Sequence, residues 1–384
     1  MKKLFAMILT AAMVVCLFAG VGTTAFAASD SIMIGGIGPI TGPAAIYGQS
    51  VKNGAEIAFE EINALGGLQF EFNFQDDAHD AETSVKAYDN LMDWGMQALI
   101  GTVTSTPCAA VAAVANDEGI FVLTPSASSP SVLEGNSNIF QMCFSDPNQG
   151  VGVADYIAER NMSEAIGVIY NNGDAYSTGI YEKFMAEAEA KGLNIVYEGT
   201  FTDDSATDFS AQLTAAKDKG ADMLFLPFYY TPISVIMSQC KAMNWDVKYF
   251  GVDGMDGILT LEGFDAALAE GAYLLTPFSA DAEDELTANF VASYTEKFGE
   301  TPNQFAADGY DCAYAIYNAC TELGLTADMD AEEISAALIE AFASGEFTFS
   351  GVTGNDMTWS ESGEVSKVPM AVIIKDGVYA LNVD

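Results

Sequence analysis

Apolar positions along this chain follow two rhythms that trade places at regular intervals. From Ser31 the segment SIMIGGIG reads as a buried strand. Residues 47–64 then bring Val51, Ala55, Ala58, Phe59 and Ile62 to one side of a helix, and Gly66-Gly67 stops it. FEFNFQDD alternates like a strand, and residues 83–94 return to helical spacing. Two short apolar runs, residues 98–100 and 119–123, read as further strands, with a helix over 108–116 between them. Repeated strand–helix units predict a parallel sheet covered on both faces.

Around FQMCFSDPNQG, residues 140–150, the rhythm resets and a second series begins. Helices are expected over 151–160, 177–191, 209–219 and 232–243, separated by the strands AIGVIY, NIVYEG, DMLFLPF and VKYFG. GAYLLTPF is strand-like, and helices follow over 282–298, 304–323 and 331–343. The tail, 368–374 and 378–381, is a hairpin around Asp376-Gly377. The fold class is therefore α/β with two series, and the C-terminal helices are expected to return to the first. In open α/β sheets ligands sit at the carboxyl ends of the strands, so two such units would face each other across a cleft.

The loops at those strand ends carry the candidate chemistry. TVTSTP and TPSASSP are rich in small hydroxyl residues, and Pro107 suits the opening turn of the helix that follows. Strand ends, hydroxyls and a helix N-terminus together accept a carboxylate or another small anion. Ser105, Thr106, Ser126 and Ser128 serve equally well as N-caps and turn formers when taken alone. Tyr47, Tyr176, Tyr229, Tyr230 and Asp253 also stand just past strand ends, in both series. That shared position is what argues for a binding cleft.

Other readings fall away. The glycines of GIGPITG are spaced G-x-G-x-x-x-G with an internal proline, which suits a turn better than a dinucleotide fingerprint. His79 is the single histidine; it has acids around it but no second nitrogen or thiolate at ligand spacing, so a solvated loop is expected and no metal. No nucleophile elbow or phosphate-transfer loop is present. The formal net charge of −40 repels nucleic acid and anionic lipid.

Residues 1–27 read as an export signal: Lys2 and Lys3, an apolar run over 4–18, then Ala25-Phe26-Ala27. No other stretch is long and apolar enough to span a bilayer. Cysteines 108, 143, 240, 312 and 320 follow the cleavage site, an odd number. Cys312 and Cys320 lie on one expected helix, ~12 Å apart by helical rise and too far to bridge. Buried thiols rather than a disulfide framework are expected.

The string GPITGPAAIYGQSVKNGAEIAFEEINALGG resembles the opening of branched-chain amino-acid-binding proteins of ABC transporters, which have the type I periplasmic binding fold. NDEGIFVLTPSASSP, TDFSAQLTAAKDKGAD and GVTGNDMTWSESGEV resemble later parts of the same family. The resemblance implies two α/β lobes, each a mostly parallel sheet flanked by helices, joined by three crossovers. It places one lobe at 28–146 plus 278–350 and the other at 147–277 plus 351–384. It further implies that Ser105 binds a ligand carboxylate, and that Ser126 and Ser128 supply a carbonyl and a hydroxyl or N–H. Asp253 falls on the acid that pairs with the ammonium, one methylene shorter than the usual glutamate. Tyr47, Tyr176 and Tyr230 fall on lining tyrosines, Phe305 on an aromatic wall, and Val103-Thr104 beside the side-chain pocket. Positions that form a disulfide in some relatives are His79 and Thr104 here.

The expected function is capture of a free amino acid, leucine, isoleucine or valine before a larger apolar one, and its delivery to a membrane permease. A monomer without cofactor is expected, in the periplasm or on the outer face of the cell membrane. A sensor of the same fold is the alternative, as is a binder of another small amide or carboxylate. An enzyme is not expected, because no catalytic set is present.

Overall fold

The computed structural model describes residues 30–381, so the expected export signal lies outside the described residues. Two sheets carry the fold. The first contains β1 (Ile32–Gly38), β2 (Phe70–Asp76), β3 (Ala98–Ile100), β4 (Val122–Thr124) and β5 (Ile139–Gln141). Its order is β2-β1-β3-β4-β5, parallel throughout. The second contains β6 (Ile166–Asn171), β7 (Ile195–Phe201), β8 (Met223–Leu226), β9 (Lys248–Gly251) and β10 (Tyr273–Thr276). These run in the order β7-β6-β8-β9-β10, the same winding as the first sheet. The hairpin of two strands, Met370–Lys375 and Val378–Leu381, adds to the edge at β10 and runs antiparallel to it.

Helices cover both sheets. In the first lobe α1 (Ala45–Ala64), α2 (Ala81–Trp94) and α3 (Ser105–Glu118) follow β1, β2 and β3. The second lobe repeats the arrangement with α4 (Asp146–Arg160), α5 (Ala175–Lys191), α6 (Ser210–Asp218) and α7 (Tyr230–Ala242). The last helices are α8 (Glu285–Phe298), α9 (Gln304–Leu323) and α10 (Ala331–Ala343). As expected, they return to the first lobe. A Cβ at Gly54 would sit 1.9 Å from the Ala306 carbonyl oxygen, and one at Gly309 would sit 2.3 Å from that of Val51. Glycine at both positions lets α1 and α9 touch backbone to backbone. That contact sets the N-terminal ends of the two helices side by side at the cleft.

The chain passes between sheets three times: from Gln141 to Asp146, from Thr276 to Glu285, and on the way to Met370. The third passage falls later than the expected division at 350/351. Trp359 packs 4.6 Å from Phe342, and its Nε1 donates to the Gln141 carbonyl at 2.7 Å. Gln141 N–H in turn donates to Gly363 at 2.9 Å. Lys367 is buried and donates to Asp308 of α9 at 3.1 Å and to Thr353 Oγ1 at 2.6 Å. Burial of Trp359 and this hydrogen-bonded charge hold the segment on the first lobe until after residue 367. All five described cysteines are buried and free.

Candidate functional site

Matching windings put the strand ends of both lobes in register across one gap. Ser105 is the first helical residue of α3, three positions ahead of the expected start, with Thr104 at the N-cap. The first-turn N–H groups of α3 have no partner within the helix and carry the positive end of its dipole. Ser105 Oγ accepts the Ser129 N–H at 3.2 Å, which leaves its own O–H to donate. Ser126 Oγ donates to the Val103 carbonyl at 2.6 Å and ties the β3 loop to the β4 loop. A Cβ at Gly38 would meet Val103 Cγ2 at 2.4 Å, so this glycine makes room for the β3 loop instead of cradling a phosphate.

The facing wall comes from the loops after β6, β8 and β9. Tyr176 O–H donates to Asp253 Oδ1 and accepts the Gly254 N–H at 2.9 Å. Asp253 N–H donates to Gln149 Oε1 at 3.1 Å, and its carbonyl accepts Gln304 Nε2 at 2.9 Å. Second-lobe groups thus hold the Asp253 carboxyl, while Gln304 of the first lobe holds its backbone carbonyl. Burial raises its pKa to about 6, against hydrogen bonds from Tyr176, Gln149 and Gly254 that favour the charged form. Tyr47 O–H bridges the lobes by donating to the Gly254 carbonyl, and its ring centroid lies 4.3 Å from that of Phe305.

Tyr47, Val103, Thr104, Ser105, Ser126, Tyr176, Asp253 and Phe305 line one small cavity, together with Tyr229 and Gly254. Room for a water centre inside it is about 10 Å³, enough for roughly one water molecule.

Two expected residues stand elsewhere. Tyr230 is already in α7; its N–H donates to Tyr47 Oη at 3.3 Å and its ring meets Tyr47 edge-on at 4.9 Å, outside the cavity. Its neighbour Tyr229, extended at the N-cap, takes the lining place and stacks on Tyr176 with centroids 5.0 Å apart. Ser128 is fully buried one layer behind the lining, beside the Asp146 carboxyl.

Sequence reasoning missed a group of buried partners. Asp146 and Asp174 are both buried and raised in pKa chiefly by burial. With Asp253 they place three buried carboxyl groups on the second-lobe side of the cavity. Gln149 and Gln304 orient Asp253 from distant segments. No local motif marks any of these four. His79 also departs from expectation. Its Nδ1 lies 2.9 Å from Thr104 Oγ1 and its ring meets Tyr229 edge-on at 5.5 Å, so it sits at the rim of the cleft, half-buried. The two positions paired by the resemblance are therefore neighbours held by a hydrogen bond. No group of acids, cysteines and histidine among the described residues could hold a metal ion.

Two α/β lobes of identical winding, closing uncharged donors of one against an acid of the other, define a two-lobed small-molecule-binding protein. Residues 31–372 match the model of the family described as periplasmic binding protein, and the chain belongs to that family. It is a binding protein and not an enzyme. The Leu/Ile/Val-binding protein BraC3 of Rhizobium johnstonii is 30% identical over 87% of this chain and 92% of its own length. The solved leucine binding protein LivK of Thermotoga maritima superposes with a TM-score of 0.82 at 26% identity, covering 92% of this chain and 98% of that one. LivJ of Streptococcus pneumoniae, a branched-chain amino acid transporter substrate binding protein solved with isoleucine, gives 0.80 at 28% identity, covering 91% and 97%.

Proposed function

We propose that this chain captures a free amino acid with a branched apolar side chain between its lobes and hands it to the permease of an ABC importer. One observation carries the reading: a single cavity has the N-terminus of α3 and the Ser105 hydroxyl on one side and the Asp253 carboxylate on the other. A zwitterion needs both, because an uncompensated charge in a closed cleft is costly. The Ser105 hydroxyl is suited to the ligand carboxylate, with Ser126 holding the β3 and β4 loops together beside it, and Asp253 to the ammonium. Tyr47, Val103, Tyr229 and Phe305 offer an uncharged surface to the side chain. The leucine- and branched-chain-binding relatives support the same ligand class. Work as an exported monomer, in the periplasm or at the outer face of the membrane, belongs to this proposal.

The present cavity is too small for an amino acid, so entry requires the lobes to part and rejoin. Calorimetry against all amino acids is the test, with leucine, isoleucine and valine expected to bind and their amides to bind far more weakly. Small-angle scattering is expected to show a smaller radius of gyration with saturating ligand. Equal binding of acid and amide would remove the anion site from this position. An unchanged radius with confirmed binding would remove the closing cleft.

A further inference from the structure

Asp253 and Asp256 lie three residues apart, yet they face different spaces. Asp253 lines the small cavity, whereas Asp256 lines a second one of about 540 Å³ beside the passage at residues 276–281. That volume lies within the ordinary range of small-molecule sites. Both lobes wall it: Ile46, Tyr294 and Gln304 from the first, Leu259, Val372 and Tyr379 from the second. Asp256 is buried, accepting the Gln304 N–H at 3.0 Å and the Gly257 N–H at 2.7 Å. Gln304 also donates to the Asp253 carbonyl at 2.9 Å, so one layer of residues separates the two cavities. Asp281 and Glu300 add two more carboxylates to the lining, and no Lys, Arg or His joins them among the described residues.

We propose that this second interlobe cavity is a binding site for a small cationic amphiphile, an ammonium group carried on a short apolar body. The apolar walls take the body, and Asp256, Asp281 and Glu300 together favour a positive head and repel an anion. An α-amino acid fits poorly, because nothing basic in the lining compensates its carboxylate. The site is independent of the amino-acid reading of the smaller cavity. Because both lobes form it, an occupant is coupled to their relative position.

The test uses n-hexylammonium chloride as probe, with sodium hexanoate as the chain of opposite charge and methylammonium as the charge without the chain. Calorimetry at matched ionic strength is expected to show hexylammonium binding in roughly the millimolar range, the strength of so small a ligand. The two controls are expected to bind at least tenfold more weakly. Leu259→Trp, which fills the cavity from a half-buried position, is expected to abolish binding, and Glu300→Gln to weaken it several-fold. Circular dichroism and thermal unfolding confirm that each variant is folded. Asp253→Asn is expected to leave hexylammonium binding in place. Equal binding of hexanoate overturns the ligand class. Retention of binding in Leu259→Trp, or its loss in Asp253→Asn, overturns the location. Absence of binding overturns the site, whatever the amino-acid titrations show.

Discussion

The two walls of the small cavity differ in kind. The first lobe presents hydroxyls, peptide N–H groups and a helix N-terminus, with no ionised side chain among its lining residues. The second lobe presents phenols and a carboxylate, backed by two further buried acids. Neither wall suits a zwitterion alone: one lacks a counter-charge for the ammonium, and the other repels the carboxylate. Affinity therefore depends on the walls being brought together. Asp253 is already prepared for this, because Gln304 of the first lobe holds its backbone carbonyl.

Removing the charge of the second wall is the most damaging change. Asp253→Asn keeps the shape and is expected to cost amino acids about 3 kcal/mol, the scale for breaking one partner of a buried ion pair. The matching 2-keto acids are expected to lose little. Calorimetry on both ligand sets checks it, and an equal loss for both would remove Asp253 as the ammonium partner.

Changes on the first wall come next. Ser105→Ala is expected to weaken binding by about 2 kcal/mol, the range for a hydrogen bond to a charged group. Ser128→Ala, one layer back, is expected to cost less, acting through the position of its loop. A Ser128 effect as large as that of Ser105 would mean that Ser128 reaches the ligand when the lobes close.

Acid conditions act on the two walls unequally. Burial raises the folded-state pKa of Asp253 to about 6, above its unfolded value of about 3.9. Ammonium binding needs the ionised form, so affinity is expected to fall about tenfold at one pH unit below that value. Stability of the unliganded protein moves the other way. Asp77 and Asp308 are also raised by burial, each to about 7. Acids raised on folding hold more protons in the native state, so their contribution is full below about pH 4 and is lost as pH rises toward 7. Calorimetry and thermal unfolding across pH 4–7 separate these opposite slopes.

The smallest effect belongs to the rim. Thr106 Oγ1 of the first lobe donates to Asp174 Oδ1 of the second at 3.2 Å, and Thr106 is exposed. Thr106→Val is expected to cost less than about 1 kcal/mol, read as faster ligand release in stopped flow. No change in release would show that water replaces this contact.

Much of this site could be read along the chain. Strand–helix alternation marks where each strand ends, and position at the carboxyl end selected Tyr47, Ser105, Ser126, Tyr176, Tyr229 and Asp253, while the family resemblance added Phe305 and Val103-Thr104 to the lining. The errors lie where neighbours in sequence diverge in space. Tyr229 and Tyr230 carry the same side chain, but the turn into α7 points only Tyr229 at the cavity. Asp253 and Asp256 separate in the same way into two cavities.

Periodicity and turn chemistry are local properties, and they were enough for the two α/β series, the hydroxyl loops and the C-terminal hairpin. Convergence over long separations is not local. Phe305 meets Tyr47 because Gly54 and Gly309 let two helices touch, and Gln149 reaches Asp253 because α4 packs against β9, where Tyr156 lies 5.7 Å from Phe250. The third passage moved past residue 350 because burial of Trp359 against Phe342 and Gln141 holds that segment on the first lobe. Such contacts depend on side-chain volumes and hydrogen bonds summed over the folded whole, and no short window of sequence contains them.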